Sequence, residues 1–426
     1  MTQTALRYRW YIFWIFAVQY LLLFFHRVCP AVLAPELTSA FSLSGTALGL
    51  LASAYFYPYA LMQVPVGMLS DSWGARKTAT LFGSLAGFGV ILFGLSPSFG
   101  VAVFSRVLIG LGLSAVFVPA MKVFAEWYRG KEYGRVSGLF VGIGSIGWLI
   151  GAAPLAALSQ VFDWRWVFIT IGMITIAVTL LTWLVVADAP EKKGFAGIVE
   201  QRGSTAGSAG NKEGRSNIRM VLGEQYFWPL AVWFFWRVSI LFGFFGLWAG
   251  PYLMDVYKLS KLAAGNILST VPLAMLIGSP LLGYLSDKVL GSRKKVLVGS
   301  AAIHCFCWVV MVIFHHSLSM PTLYVLFFVM GIMSGAPGSV GFAATKELFP
   351  MSAAGTSIGT VNLFAFAGGV VLQPVVGYVL DQAGKIDGAY PQSAYRIVCW
   401  VFFGASIIAL AGALFSKETM SRAKAG

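Results

Sequence analysis

Long apolar runs recur along the whole chain and decide what it can fold into. A helix of about 20 residues crosses a bilayer, and twelve runs of roughly that length lie near 11–35, 46–70, 77–95, 98–127, 135–160, 166–187, 226–253, 264–286, 294–315, 322–345, 354–380 and 394–416. Only 11% of the 426 residues are charged, against roughly 25% in a soluble domain. The runs use up most of the length, so we predict an all-α integral membrane protein with twelve transmembrane helices.

The spacing of these runs divides the chain in two. A longer polar segment follows the sixth run and contains the Gly/Ser-rich tract 203–210, which is typical of a flexible linker. The segment Gly67–Asp71 after the second run recurs in similar form as Gly283–Asp287 after the eighth. We therefore predict two pseudo-symmetric six-helix halves, 1–190 and 225–426, around a central cavity. A cytoplasmic linker, 191–224, connects them.

The basic residues indicate the topology. If the N-terminus is inside, 21 of the 30 lysines and arginines lie on the cytoplasmic side and five lie outside. Because positive charge is retained on the cytoplasmic side, we expect both termini in the cytoplasm and the helices in the inner (plasma) membrane. The net charge of +14 then reflects topology, and no nucleic-acid partner is expected. The cysteines and histidines lack metal-ligand spacing, so we expect no metal and no cofactor.

Four motifs resemble those of the major facilitator superfamily. Gly67–Lys77 resembles the family's signature loop between the second and third spans, with Ala75 in place of a usual basic residue, and Gly283–Lys294 resembles a second copy. Arg106–Gly112 is similar to the family's fourth-span motif, and Trp164–Phe168 to its turn between the fifth and sixth spans. The resemblance implies that family's fold and a secondary transporter that works by alternating access.

Several residues are candidates for coupling or gating. A carboxylate at a cytoplasmic helix end, such as Asp71 or Asp287, can accept from an arginine or a neighbouring helix N-terminus and lock one conformation. His26 either titrates near neutral pH or makes an interhelical hydrogen bond. Arg106 is a candidate both for a structural or coupling role and for direct binding. The coupling or gating candidates are His26, Arg106, Asp71, Gly74, Arg76, Asp287 and Arg293.

Four cations fall inside the predicted spans, namely Arg27, Arg106, Lys122 and Arg237, while no Asp or Glu lies near the centre of any span. A charge at the bilayer centre costs at least about 2.5 kcal/mol, so such a residue is expected to face a wet cavity or a partner. Four cations without internal carboxylates favour a cavity that binds an anion.

Arg27 and Arg237 lie on spans 1 and 7, which correspond in the two predicted halves, and are placed to clamp a carboxylate or phosphate. This arrangement resembles the organophosphate and anion:cation symporter branches of the superfamily, in which arginines on these spans hold the substrate anion. Arg237 lies more than a turn deeper than the branch pattern. Lys122 stands where those branches place a basic residue, although it can instead snorkel to the cytoplasmic surface.

Aromatic and amide side chains complete the predicted substrate site. Tyr55 and Tyr59 lie one helical turn apart on the second run, and the amides of Asn362 and Gln373 need partners inside a span. The substrate-binding candidates are Arg27, Arg237, Lys122, Tyr55, Tyr59, Asn362 and Gln373.

We predict a monomeric transporter of a small organic anion, preferably a carboxylate. A zwitterionic amino acid is the alternative substrate, and the four cations argue against export of lipophilic cations. Coupling to protons, substrate-carried protons and anion exchange all stay open. A non-transporting receptor or assembly component is the alternative from another class. An enzyme is not expected, because no span or loop carries a nucleophile, a base and an orienting group at usable spacing.

Overall fold

Helices make up nearly all the regular structure in the computed structural model, which describes residues 3–128, 130–195, 211–350, 353–386 and 388–420. Eleven helices in these ranges are long and apolar enough to cross a membrane. We number them spans 1 and 3–12, and they are Thr4–Phe41, Ala75–Gly94, Phe99–Trp127, Glu132–Val161, Trp164–Val185, Phe227–Tyr257, Lys261–Val289, Arg293–Ile313, Met320–Glu347, Gly355–Ala383 and Gln392–Phe415. The prediction of an all-α multi-pass membrane protein is confirmed.

The second predicted helix is present but interrupted. Three short helices, Gly45–Ser53, Phe56–Leu61 and Gln63–Ser72, occupy the place of the predicted run 46–70, and together we call them span 2. The interruptions fall beside two prolines, Pro58 and Pro65, whose rings cannot donate to the carbonyls four residues earlier. Hydropathy alone detects the apolar run but not its breaks. Among the described residues, eleven of the twelve predicted spans are therefore long apolar helices, and span 2 is divided into shorter ones.

Other spans also contain irregular segments. Span 7 changes to π-helix at Leu241–Trp248 and span 10 does so at Pro337–Gly341. Span 1 carries Pro30 and Pro35 within its helix. A proline or a π-helical turn leaves backbone carbonyls without their usual donors. In spans 7 and 10, polar side chains from other spans donate to such carbonyls.

The chain falls into two compact units. The first unit consists of Met1–Arg27, Ala54–Trp148 and Leu158–Ala209, and the second of Val28–Ser53, Leu149–Ala157 and Gly210–Gly426. Parts of spans 1, 2 and 5 therefore belong to the same unit as spans 7–12. The predicted division into two six-helix halves at 1–190 and 225–426 stays a prediction.

The predicted linker is only partly described. Pro190–Lys193 forms a 3₁₀ turn and Asn211–Gly223 a helix. Residues 196–210, including the Gly/Ser-rich tract 203–210, lie outside the described residues.

Candidate functional site

In the first unit, Arg27 lies in a group of aromatic side chains. Only 4% of Arg27 is exposed, and its guanidinium carbon lies 4.7 Å from the ring centroid of Phe24 and 4.5 Å from that of Tyr59. Tyr20, Tyr55 and Tyr59 are close enough to interact electrostatically with the guanidinium. We call Arg27 with these four aromatic residues the Arg27 cluster. It is a buried positive charge surrounded by neutral rings and hydroxyl groups.

Helical periodicity explains why these residues meet. Phe24 and Tyr20 precede Arg27 by three and seven residues, so all three share one face of span 1. Tyr55 and Tyr59 of span 2 stack with ring centroids 5.8 Å apart. The structure therefore brings together the predicted substrate residues Arg27, Tyr55 and Tyr59.

Arg106 of span 4 lies beside the Arg27 cluster. Its Nη1 donates to the carbonyl of His26 over 2.9 Å, and its guanidinium carbon lies 5.3 Å from the ring centroid of Tyr55. The His26 carbonyl is the one that Pro30, four residues later, cannot bind, because proline has no N–H. A Cβ on Gly110, one turn after Arg106, would overlap the carbonyl of Tyr55, so only glycine permits this close approach of spans 4 and 2.

The His26 side chain packs against aromatic rings. It is fully buried, with its ring centroid 5.3 Å from that of Phe25 and 5.8 Å from that of Phe168. Phe168 belongs to the predicted turn motif at the start of span 6. The coupling role predicted for His26 stays a prediction.

Lys122 pairs with the first signature loop. Its Nζ lies 2.7 Å from Oδ1 of Asp71 and donates to the carbonyl of Ser70 at 2.7 Å. Both partners lie near the end of span 2, which agrees with the alternative that Lys122 snorkels towards the surface. Its predicted contact with substrate stays a prediction.

Two other residues of this loop, Gly74 and Arg76, begin span 3. Gly74 has φ +101°, a value that side chains other than glycine rarely adopt. Asp188, just after span 6, accepts from the backbone N–H of Arg76 at 2.7 Å and thus caps the N-terminus of span 3. The Arg76 guanidinium lies 4.4 Å from the Trp183 ring centroid.

The second unit contains a similar arrangement at the second loop. Arg293 forms ion pairs with Asp287 and, at 2.8 Å, with Glu347. Glu418, after span 12, accepts from the backbone N–H of Arg293 at 2.9 Å and from the hydroxyl of Ser292. Burial opposes ionisation of Glu418, but these hydrogen bonds outweigh it and lower its pKa.

Sequence reasoning missed the capping roles of Asp188 and Glu418. Each follows the last span of a predicted six-helix half, so an internal comparison of the halves offers a signal for both.

Arg237 of span 7 contacts backbone rather than a carboxylate. Only 3% of it is exposed, and its Nη2 donates to the carbonyl of Met333 in span 10 at 2.6 Å. Cys307 and His304 of span 9 are close enough to interact electrostatically with it. Its predicted role in the substrate site stays a prediction.

The two amide candidates lie on span 11. Gln373 is fully buried. Its side-chain Nε2 donates to the carbonyl of Phe242 at 3.0 Å, and its backbone carbonyl accepts from Nε1 of Trp248 at 2.9 Å. These bonds attach span 11 to the π-helical segment of span 7. Asn362 is half-buried.

A carboxylate network that sequence reasoning missed lies in the second unit. Asp381 accepts from the backbone N–H groups of Gly45 and Thr46, from the Thr46 hydroxyl, and from the Tyr390 hydroxyl. Asp255 accepts from the backbone N–H of Tyr390 at 3.2 Å. Asp381 and Gly45 are 336 residues apart in sequence, so no local pattern reveals this contact.

Within the described ranges, no three His, Cys, Asp or Glu side chains come together in a group that could hold a metal ion.

A model of the Major Facilitator Superfamily matches residues 15–265 and 239–425 of the chain. Among curated relatives, the uncharacterized transporter YybO of Bacillus subtilis is 25% identical, with 93% of each chain covered. The "Probable sulfoacetate transporter SauU" of Cupriavidus necator is 24% identical, covering 88% of this chain and 87% of its own length. The "Probable galactarate/D-glucarate transporter GudP" of Escherichia coli is also 24% identical, covering 88% and 89%.

Among solved structures, the chain is similar to an inward-facing, unoccupied bacterial homologue of the human lysosomal transporter Spinster. The TM-score is 0.75 at 19% identity, with 98% of this chain and 97% of the other covered. This likeness shows that the fold is shared.

Proposed function

The chain belongs to the Major Facilitator Superfamily, and on that premise we propose that it transports a small organic anion, preferably a carboxylate, by alternating access. The observation that carries the proposal is the Arg27 cluster, a buried guanidinium within rings contributed by spans 1 and 2. We place the protein in the inner (plasma) membrane with both termini in the cytoplasm, working as a monomer of two six-helix halves.

The chemistry of the Arg27 cluster suits a carboxylate. A guanidinium has several donors in a fixed plane and can bind both oxygens of a carboxylate at once. Tyrosine hydroxyls can donate to further oxygen atoms of the anion. The flat rings of Phe24 and Tyr59 hold the guanidinium by cation–π contacts without neutralising its charge.

The relatives agree with this substrate class. The names of SauU and GudP refer to sulfoacetate and to galactarate or D-glucarate, which all carry carboxylates. Identities of 24% support the general class, an organic anion, better than any one compound.

A zwitterionic amino acid is the second candidate substrate. Its carboxylate suits Arg27, but its ammonium group would lie near a second cation, Arg106, which shares Tyr55 with the cluster. The sequence provides no Asp or Glu near the centre of a span to bind that ammonium. The electrostatics therefore favour a substrate that is purely anionic. We propose no enzymatic activity.

The proposal is tested by ligand-induced thermal shifts of the purified protein. The probes are D-glucarate, sulfoacetate, glycerol 3-phosphate, L-alanine and tetraphenylphosphonium, each with wild type and with Arg27→Gln. A ligand at 100 times its dissociation constant stabilises the folded state by about 2.7 kcal/mol. We expect a shift with at least one carboxylate that disappears in Arg27→Gln.

Arg165→Gln is the matched control. Arg165 also lies over an aromatic ring, with its guanidinium carbon 4.6 Å from the Trp164 centroid, and its Nη1 donates to the backbone carbonyls of Gly94 and Ser96. It should keep the wild-type shift. A shift that survives Arg27→Gln, or that occurs only with L-alanine or the lipophilic cation, contradicts the proposal. Uptake of the same carboxylate into proteoliposomes then separates a transporter from a receptor that only binds it.

A further inference from the structure

Span 10 contains a break at Pro337, and the side chain of Arg237 from span 7 lies at that break. In a regular helix the N–H of residue 337 would donate to the carbonyl of Met333, four residues earlier. Proline has no N–H, so this bond cannot form. The Nη2 of Arg237 donates to the same carbonyl at 2.6 Å. We propose that Arg237 is a positioning residue that supplies the donor Pro337 lacks and so maintains the geometry of span 10 at this break.

The local hydrogen bonds show why the carbonyl needs this donor. Besides Arg237, the Met333 carbonyl accepts from the backbone N–H of Ala336, at a long 3.3 Å. After the break the chain continues as π-helix, with the N–H of Gly341 donating to the carbonyl of Ala336 at 2.9 Å. A carbonyl left without a good donor inside a membrane protein is costly, because no bulk water replaces the lost bond.

The surroundings of Arg237 favour this role over direct substrate binding. Arg237 is buried, and it interacts with Cys307 and His304 of span 9 as well as with Met333 of span 10. Its Nε and Nη1 have no hydrogen-bond partner among the described residues. Among the described residues, the hydrogen bond of this guanidinium is therefore with the helix backbone at the break.

Spans 1 and 4 show a similar arrangement with the roles of the two helices exchanged. There, Arg106 of span 4 donates to the carbonyl of His26, which lies four residues before Pro30 of span 1. Span 1 corresponds to span 7 in the predicted repeat, and span 4 corresponds to span 10. In both places an arginine connects the corresponding pair of helices by donating to the carbonyl four residues before a proline. This recurrence favours a function for the bond itself over chance packing of one side chain.

A double-mutant cycle tests the assignment without any ligand. Arg237→Met removes the donors, whereas Pro337→Ala restores the missing backbone N–H. The midpoint of thermal unfolding is measured for the full-length protein in detergent. We expect Arg237→Met to lower the midpoint in the wild-type background, and to lower it by less than half as much in the Pro337→Ala background. Equal losses in the two backgrounds would overturn the assignment.

Pro272→Ala provides the matched control. Pro272 also lies inside a helix, in span 8, but is not the proline that faces Arg237. This substitution should leave the cost of Arg237→Met unchanged. If Pro272→Ala reduces that cost as much as Pro337→Ala does, the effect is a general response to removing a helix proline and the assignment is wrong.

A conformational measurement separates a positioning role from a purely stabilising one. Spin labels at Val325→Cys and Lys346→Cys, which flank the break on exposed sites, are placed in a background with the native cysteines replaced by serine. A straight helix would place these sites roughly 31 Å apart at 1.5 Å per residue. We expect Arg237→Met to broaden the distance distribution, and Arg237→Lys, which keeps a donor, to restore it.

These outcomes are independent of the proposed substrate. If Pro337→Ala yields no folded protein, the spin-label distances of Arg237→Met and Arg237→Lys test the positioning role instead. Equal broadening of the distance distribution in both variants would contradict that role. An unchanged distance distribution in Arg237→Met would also contradict the positioning role. Failure of every anion in the thermal-shift screen would refute the proposed substrate class but leave both measurements on span 10 valid.

Discussion

Asp381, near the end of span 11, connects three parts of the second unit through one carboxylate. Its Oδ1 accepts from the backbone N–H of Gly45 at 2.6 Å and from the Tyr390 hydroxyl at 2.7 Å. Its Oδ2 accepts from the backbone N–H of Thr46 at 2.7 Å and from the Thr46 hydroxyl at 2.6 Å. In Asp381→Asn one of these oxygens becomes an amide nitrogen that cannot accept, so two of the four bonds are lost.

The magnitude follows from these two bonds and the lost charge. A hydrogen bond to a charged group contributes about 1.5–3 kcal/mol, and Asp381 is only half-buried, so the lower value applies to each. The negative charge at the first residues of span 2 adds about 0.3–1 kcal/mol by interaction with the helix N-terminus. We expect Asp381→Asn to lower the free energy of unfolding by about 3–4 kcal/mol.

Reversible unfolding in mixed micelles of increasing SDS content measures this free energy. Asp255→Asn is the matched control, because both hydrogen bonds to Asp255, from the Tyr390 N–H and the Tyr395 hydroxyl, reach the same oxygen, Oδ2. Asparagine can keep both bonds with its carbonyl oxygen, so this variant should lose about 1 kcal/mol or less. If the two variants lose equal stability, the network around Asp381 does not contribute as its geometry indicates.

Two further predictions concern the cap on span 9 and the contact between spans 2 and 4. Because the folded state lowers the pKa of Glu418, its contribution to stability should be complete above the unfolded pKa of about 4.3 and fall as pH drops through the folded value. Glu418→Gln should therefore flatten the acid limb of a thermal-stability profile, and an unchanged limb would contradict this. Gly110→Ala should cost about 1–3 kcal/mol and weaken the anion-induced thermal shift, because its Cβ overlaps the carbonyl of Tyr55. Gly100→Ala, with nothing within 4 Å of the added Cβ, should change neither quantity.

Much of the fold could be predicted from the sequence because the bilayer imposes it. Backbone polar groups must be satisfied within each span, so an apolar run of sufficient length becomes a helix whatever its neighbours are. The interruption of span 2 was missed because a hydropathy window does not register Pro58 and Pro65. A proline cannot donate to the carbonyl of the residue four positions earlier. The position of each proline within a span therefore identifies a carbonyl that needs another donor.

The candidate site was only partly predictable. The spacing of Tyr55 and Tyr59 on one helix face predicted that they act together, and Arg27 was singled out because a buried charge is costly. Which side chain binds a proline-freed carbonyl depends on packing between distant spans, so the bonds of Arg106 and Arg237 could not be derived from local sequence. Spacing along one helix predicts a shared face but not which other span that face meets.

The four intramembrane cations therefore do not carry equal weight as evidence for an anion site. Lys122 pairs with Asp71, while Arg106 and Arg237 each donate to the carbonyl four residues before a proline. A count of cations within spans cannot separate these roles, because an arginine that donates to a backbone carbonyl and one that binds substrate have the same hydropathy. Arg27 differs in lying among aromatic rings from two spans. The proposal of an organic-anion substrate consequently depends most on Arg27, and Arg27→Gln is the substitution that decides it.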